Sequence, residues 1–230
     1  MAHQVRHSYP PLTGRRALLL RQCARACGPL LIACIVSAIG LFPVVALAMF
    51  RDIPVATLTR DIFAITGSEA YTGLLSNLGI MGWSAAAVIW LIGAALLMRT
   101  ERTHFLLPLT FGAGLCTLWL LIDDAFMMHE ERLPALLAMS EQAVILFYLI
   151  VALLLAVLSV TRILRTNYVL CLAACTLFAA SLLADQVVPM SGVQLFIEDG
   201  LKFAGIVVWA VYAADTILHI GEDLYRHAER

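Results

Sequence analysis

The sequence predicts an all-α polytopic transmembrane bundle of six spans with both termini in the cytoplasm, and three observations carry that prediction. Of 230 residues, 62% are hydrophobic and only 13% charged, with a mean hydropathy of +0.91, whereas soluble domains run about 45–50% apolar and about 25% charged. Six apolar runs then approach the ~20 residues that a helix needs to cross hydrocarbon. Finally, the basic residues fall mostly on one side of those runs, as the positive-inside rule requires. The net charge of −1 says nothing as a total. No basic stretch interleaves with aromatics, so nucleic acid is not an expected partner. The bilayer is, together with a second copy of the chain or partner membrane subunits.

Residues 1–27 carry Arg6, Arg15, Arg16, Arg21 and Arg25 without an acid and read as a basic cytoplasmic tail. The run that follows is long enough to span, which favours a retained helix over a cleaved export signal. The predicted transmembrane domain covers residues 28–220, with spans at 28–50, 70–98, 105–128, 139–160, 168–185 and 199–220, and residues 221–230 form a cytoplasmic C-terminal tail. Pro43 falls inside the first span and predicts a kink, whereas Pro108 falls in the first turn of the third, where proline is tolerated. The connector 51–69 mixes apolar and charged residues and reads as an amphipathic helix at the interface.

With the N-terminus inside, 11 of the 15 Lys and Arg lie on the cytoplasmic side, and 11 of the 16 Asp and Glu on the other. This places the chain in a cytoplasmic-type membrane with an acidic outer face suited to cations. No cysteine falls in an outer loop, so no structural disulfide is expected. Cys171 and Cys175, four residues apart, read as buried filler.

Alternating helix direction gathers polar groups at the outer level: Ser76 and Asn77, then Asp123, Asp124, His129 and Glu130, then Glu198, Asp199 and Lys202. Charge beside hydrocarbon is costly, which makes this group the candidate cavity and ion-binding site. Lys202 is the only lysine in the chain and stands about one turn inside the sixth span. It is positioned to compensate Asp123 or Asp124, or to snorkel outward. Glu198 precedes it by four residues, the favourable order for an intrahelical ion pair. Asp199 suits a helix N-terminus.

Candidate catalytic groups are Asp123, Asp124, His129 and Ser76, the last as a nucleophile with His129 as its base. A divalent metal is a candidate cofactor, with Asp124, His129 and Glu198 as ligands. No two of Asp123, Asp124, His129 and Glu130 are three or four residues apart, so one regular helix cannot present them as a chelating pair. For His129 to turn back onto an aspartate, the helix must end near Met127. On the inner side Tyr212, Asp215 and His219 share a stripe, compatible with a metal pair or a proton relay, or with solvation beside Arg162 or Arg165. Trp83, Trp90, Trp119 and Trp209 read as packing residues, and Tyr148 and Tyr168 as interface anchors.

Three functions fit this pattern: an outward-facing acidic cavity that binds a cation or proton as part of transport, a membrane-embedded metal-dependent hydrolase acting on outer-leaflet lipid, or an assembly subunit whose polar groups bind partner helices.

Overall fold

Every regular element among the described residues is helical, as apolar runs in a membrane must be if each backbone N–H and C=O is to find a partner within its own segment. The computed structural model describes residues 41–59, 62–69, 71–100, 105–187 and 192–228, with Leu31, Cys34, Ile35, Ser37 and Ala38. The predicted tail 1–27, much of the first half of the first span, Arg60 and residues 101–104 lie outside the described residues. The chain divides into two units, Met1–Thr72 and Gly73–Arg230.

In the first unit, α1 (Leu41–Phe50) is a shorter apolar helix that runs through Pro43. The predicted interfacial helix is two short pieces, α2 (Val55–Thr59) and α3 (Ile62–Thr66).

The second unit holds α4 (Leu74–Met98), α5 (Leu107–Phe126), a π-helical turn (Met128–Arg132), α6 (Leu133–Leu137), α7 (Glu141–Ile163), α8 (Tyr168–Val187) and α9 (Gly192–Ala228). Five of these, α4, α5, α7, α8 and α9, are long and apolar enough to cross a membrane, so the fold is that of a multi-pass membrane protein. Ser140 caps α7, its hydroxyl accepting from the Ala143 N–H. The largest departure from expectation is α9, which starts at Gly192 rather than 199 and continues to Ala228. Residues 192–198 hold enough apolar side chains, and 221–228 enough helix formers, to extend it at both ends. Asp199 therefore stands seven residues past the start, beyond the first turn in which the helix dipole would explain it.

Three pairings organise the unit: α4 with α5, α4 with α9, and α8 with α9. The buried residues Gly79, Trp83, Ala86, Trp90, Gly93 and Leu97 of α4 recur in steps of four and three, so one face of the helix is consumed by its neighbours. Glycines let those neighbours close in; a Cβ on Gly82 would stand 2.7 Å from Ile206 and one on Gly114 2.8 Å from Leu91. At the centre lie Trp90, Tyr212 and Ala213. Trp90 meets Tyr212 edge-on at 5.4 Å, and the Trp209 indole N–H donates to Thr117 Oγ1 at 2.9 Å. Helix α7 is different. It packs on α5, the π-helical turn and α6, and Val144 is its one buried residue.

Candidate functional site

The site is built on the way α5 ends. Phe126 is its last residue, and Met127 takes left-handed angles (φ 51°, ψ 46°) while its N–H returns to the Asp123 carbonyl. A non-glycine residue there costs roughly 1–2 kcal/mol, so surrounding contacts must hold it. The π-helical turn then carries His129 back over the end of α5, which meets the condition that the sequence sets for this histidine to reach an aspartate.

Asp123 is buried, with 5% of its surface exposed, and its carboxylate is fully engaged. The Tyr148 hydroxyl of α7 donates to Oδ1 at 2.9 Å and the His129 backbone N–H to the same oxygen at 3.0 Å. The His129 ring Nδ1 lies 2.5 Å from Oδ2. A buried carboxylate is tolerable only with such partners. The hydrogen bond to Asp123 raises the His129 pKa above the ordinary imidazole value; burial opposes the rise, the charges of Asp123 and Glu130 add to it, and Lys202 takes a little from it. With Nδ1 donating to the carboxylate, Nε2 is left toward Glu130, 3.7 Å away.

Asp124 is one residue further on and therefore about 100° around the helix. It faces α9 and α4 instead of α7. Lys202 Nζ forms an ion pair with its Oδ1, and Gly79 lies beside its Oδ2, where a Cβ would stand in ordinary contact at 3.7 Å. Lys202 pairs across the bundle and not with Glu198, which accepts from the Gln194 side chain at 2.8 Å. The Ser181 hydroxyl donates to the Glu198 carbonyl at 2.9 Å, tying α8 to α9 beside the site.

Two cavities flank these pairs. A water-sized one of about 20 Å³ is bordered by Ser76, Gly79, Asp124, Asp199 and Lys202. A much larger one, about 510 Å³, is bordered at its polar end by Asp123, Asp124, His129, Glu130, Glu198 and Lys202 and otherwise by mostly apolar residues of α4, α5, α7 and α8.

The structure thus brings Asp123 to His129 and Asp124 to Lys202, with Glu130 and Glu198 at the rim. It separates others. Ser76 borders the smaller cavity and His129 the larger, and among the described residues no hydrogen bond joins the two. Asn77 is exposed and borders neither cavity. Asp124, His129 and Glu198 each turn to a separate partner, and among the described residues no three His, Cys, Asp or Glu side chains gather as a metal-holding group.

On the inner side, Tyr212 is buried in the core and hydrogen-bonded to Thr166 at 2.8 Å, apart from His219, which is exposed and bonds the Asp215 carbonyl of its own helix at 2.8 Å. Arg162 and Arg165 engage Phe105.

Tyr148 is the side chain beside Asp123 that the sequence conceals. It reads as an interface anchor, yet it lies seven residues into α7, two turns deeper than an anchor needs. That depth was the available signal.

No curated protein and no solved structure matches this chain. A family model does: over residues 30–216 the sequence matches a domain of unknown function, DUF8692, and the chain belongs to that family.

Proposed function

We propose that this chain is a six-span membrane protein with cytoplasmic termini, whose polar cavity opens outward and binds a proton or cation as part of transport. One observation carries the proposal: a buried carboxylate, Asp123, clamped by an imidazole and a phenol, beside a second carboxylate already satisfied by the only lysine. In such a site His129 accepts a proton at Nε2 from the cavity. The resulting imidazolium is stabilised by Asp123 through Nδ1–H, while the Tyr148 and backbone donors keep Asp123 solvated when His129 is neutral. Lys202 serves as an internal counter-charge that an arriving cation must displace from Asp124.

The test is proton flux in liposomes under an imposed pH gradient. The wild-type chain is expected to dissipate the gradient faster than empty vesicles, and His129→Ala and Asp123→Asn to lower the rate by about tenfold, the scale of losing one proton-transfer group. Equal flux in wild type and both variants contradicts the proposal. Reporter fusions at each terminus check the topology, with both expected on the cytoplasmic face.

A second reading, a hydrolase acting on lipid, is favoured by the apolar lining beside the dyad. There His129 Nε2 takes a proton from an attacking water while Asp123 holds the ring by Nδ1–H. Release of fatty acid or headgroup from vesicle lipid, lost in His129→Ala, distinguishes it from transport.

A further inference from the structure

We infer that Arg162 and Arg165, gathered on the ring of Phe105, bind the phosphate of an anionic phospholipid where α7 ends and α5 begins. This site is separate from the Asp123 and Asp124 pairs and does not depend on the transport reading.

The end of α7 sets the pair up. Arg162 stands in its last turn, and Arg165 follows the Leu164 cap with its N–H returned to the Arg162 carbonyl at 3.0 Å. Phe105 lies two residues before α5. The guanidinium of Arg162 is 5.3 Å and that of Arg165 4.5 Å from the centre of its ring, within the ~6 Å reach of cation–π attraction. Arg162 is fixed further, because Nε donates to the Phe105 carbonyl at 3.0 Å and Nη1 to the Leu158 carbonyl at 3.1 Å. A guanidinium ordered in advance costs less to immobilise when a ligand arrives.

Nothing among the described residues neutralises the two charges. The negative end of the α7 dipole and the positive end of the α5 dipole meet here and offset each other. The first turn of α5 holds no acid, and no side chain caps it. The four ion pairs of the described residues all lie elsewhere. A guanidinium has five N–H donors, and Arg162 places only two of its own on backbone carbonyls. Charged donors in a planar fork are the geometry that takes phosphate oxygens two at a time.

Position selects a lipid as the source of that phosphate. Spanning helices end at headgroup level, and Leu158 and Leu164, one turn before and two residues after Arg162, are 64% and 61% exposed. An anion held here has apolar surface beside it, which acyl chains cover and a free phosphate does not. Basic sites between helices at this level suit anionic headgroups. A choline headgroup would bring a third positive charge to the pair, so a zwitterionic lipid fits less well.

The experiment titrates the full chain in neutral detergent with dioleoylphosphatidylglycerol or dioleoylphosphatidylcholine, and counts bound lipid by native mass spectrometry. One phosphatidylglycerol is expected to bind about tenfold more tightly than phosphatidylcholine. Arg165→Gln removes most of that preference. Phe105→Leu lowers it severalfold with the charge unchanged, and so does Arg165→Lys, which keeps the charge but loses the fork; the second variant reads the same point should the first not fold. Arg99→Gln, which takes one charge from the end of α4, leaves the preference as it is. Equal affinities for the two lipids overturn the inference. A preference that survives in folded Phe105→Leu and in Arg165→Lys, or that Arg99→Gln lowers as much as Arg165→Gln does, marks general surface charge and overturns it too. Millimolar inorganic phosphate that displaces phosphatidylglycerol assigns the pair to a free anion and overturns the lipid.

Discussion

Met127 shows how much depends on a single backbone conformation. Its left-handed angles end α5 and allow the next turn to fold His129 onto Asp123. Met127→Gly is expected to be neutral or to stabilise by up to about 1 kcal/mol by relieving the Cβ clash. Met127→Val is expected to destabilise, since a β-branched side chain tolerates positive φ poorly, and thermal unfolding in detergent reads both. Lys202 is the second decisive residue. Lys202→Ala leaves Asp124, whose side chain is 10% exposed, without its cation. The expected loss is about 2 kcal/mol, below the 3–5 typical of fully buried pairs because Lys202 keeps a third of its side chain exposed. Adding Asp124→Asn recovers most of it, since no unpaired charge is then left buried. An unchanged melting temperature in Lys202→Ala places the pair in solvent. His129 also sets a pH dependence. Its pKa is raised in the folded state, so its contribution is fully present below the ordinary value of about 6.5 and is lost as pH rises through the folded value. Melting temperature should fall over that window in wild type and lose that fall in His129→Ala.

At the scale of elements, close packing of α8 on α9 fixes where Glu198 and Lys202 stand. A Cβ on Gly205 would lie 2.7 Å from the Phe178 ring, which is itself stacked on Trp83 at 5.4 Å and cannot swing away freely. Gly205→Ala is expected to lower stability by about 1–3 kcal/mol through overpacking, and Phe178→Leu in the same chain to restore part of it. A Gly205→Ala protein as stable as wild type shows that α8 and α9 are not in this register. The helices themselves were legible in the sequence because each is an apolar run bounded by charge or turn residues. The ends were less so. The extra turns of α9 before Asp199 run through residues that the count of apolar runs left out, and the π-helical turn follows a left-handed Met127 that no periodicity records. The pairing of Lys202 with Asp124 follows from the α4, α5 and α9 arrangement, whereas the sequence offered Glu198 on the same helix, Asp123 or Asp124 across the bundle, and snorkelling to the surface. Tyr148 was missed because a tyrosine near a membrane surface has an ordinary explanation in amphipathic anchoring.

At the scale of the whole molecule, one end of the Gly73–Arg230 unit gathers the pairs Asp123–His129 and Asp124–Lys202, and among the described residues α7 packs chiefly on α5, the π-helical turn and α6. An apolar bundle has no need of that concentration for stability, since replacing buried ion pairs by apolar residues is often neutral or stabilising. The cost makes sense if the groups exchange protons or meet a charged ligand. Everything in this picture follows from Asp123 holding His129. The most direct measurement is the NMR titration of the His129 imidazole in the full chain, its signal assigned by its loss in His129→Ala. A pKa above the ordinary value in wild type that falls in Asp123→Asn is the predicted result. An ordinary pKa, the same in both proteins, would contradict it.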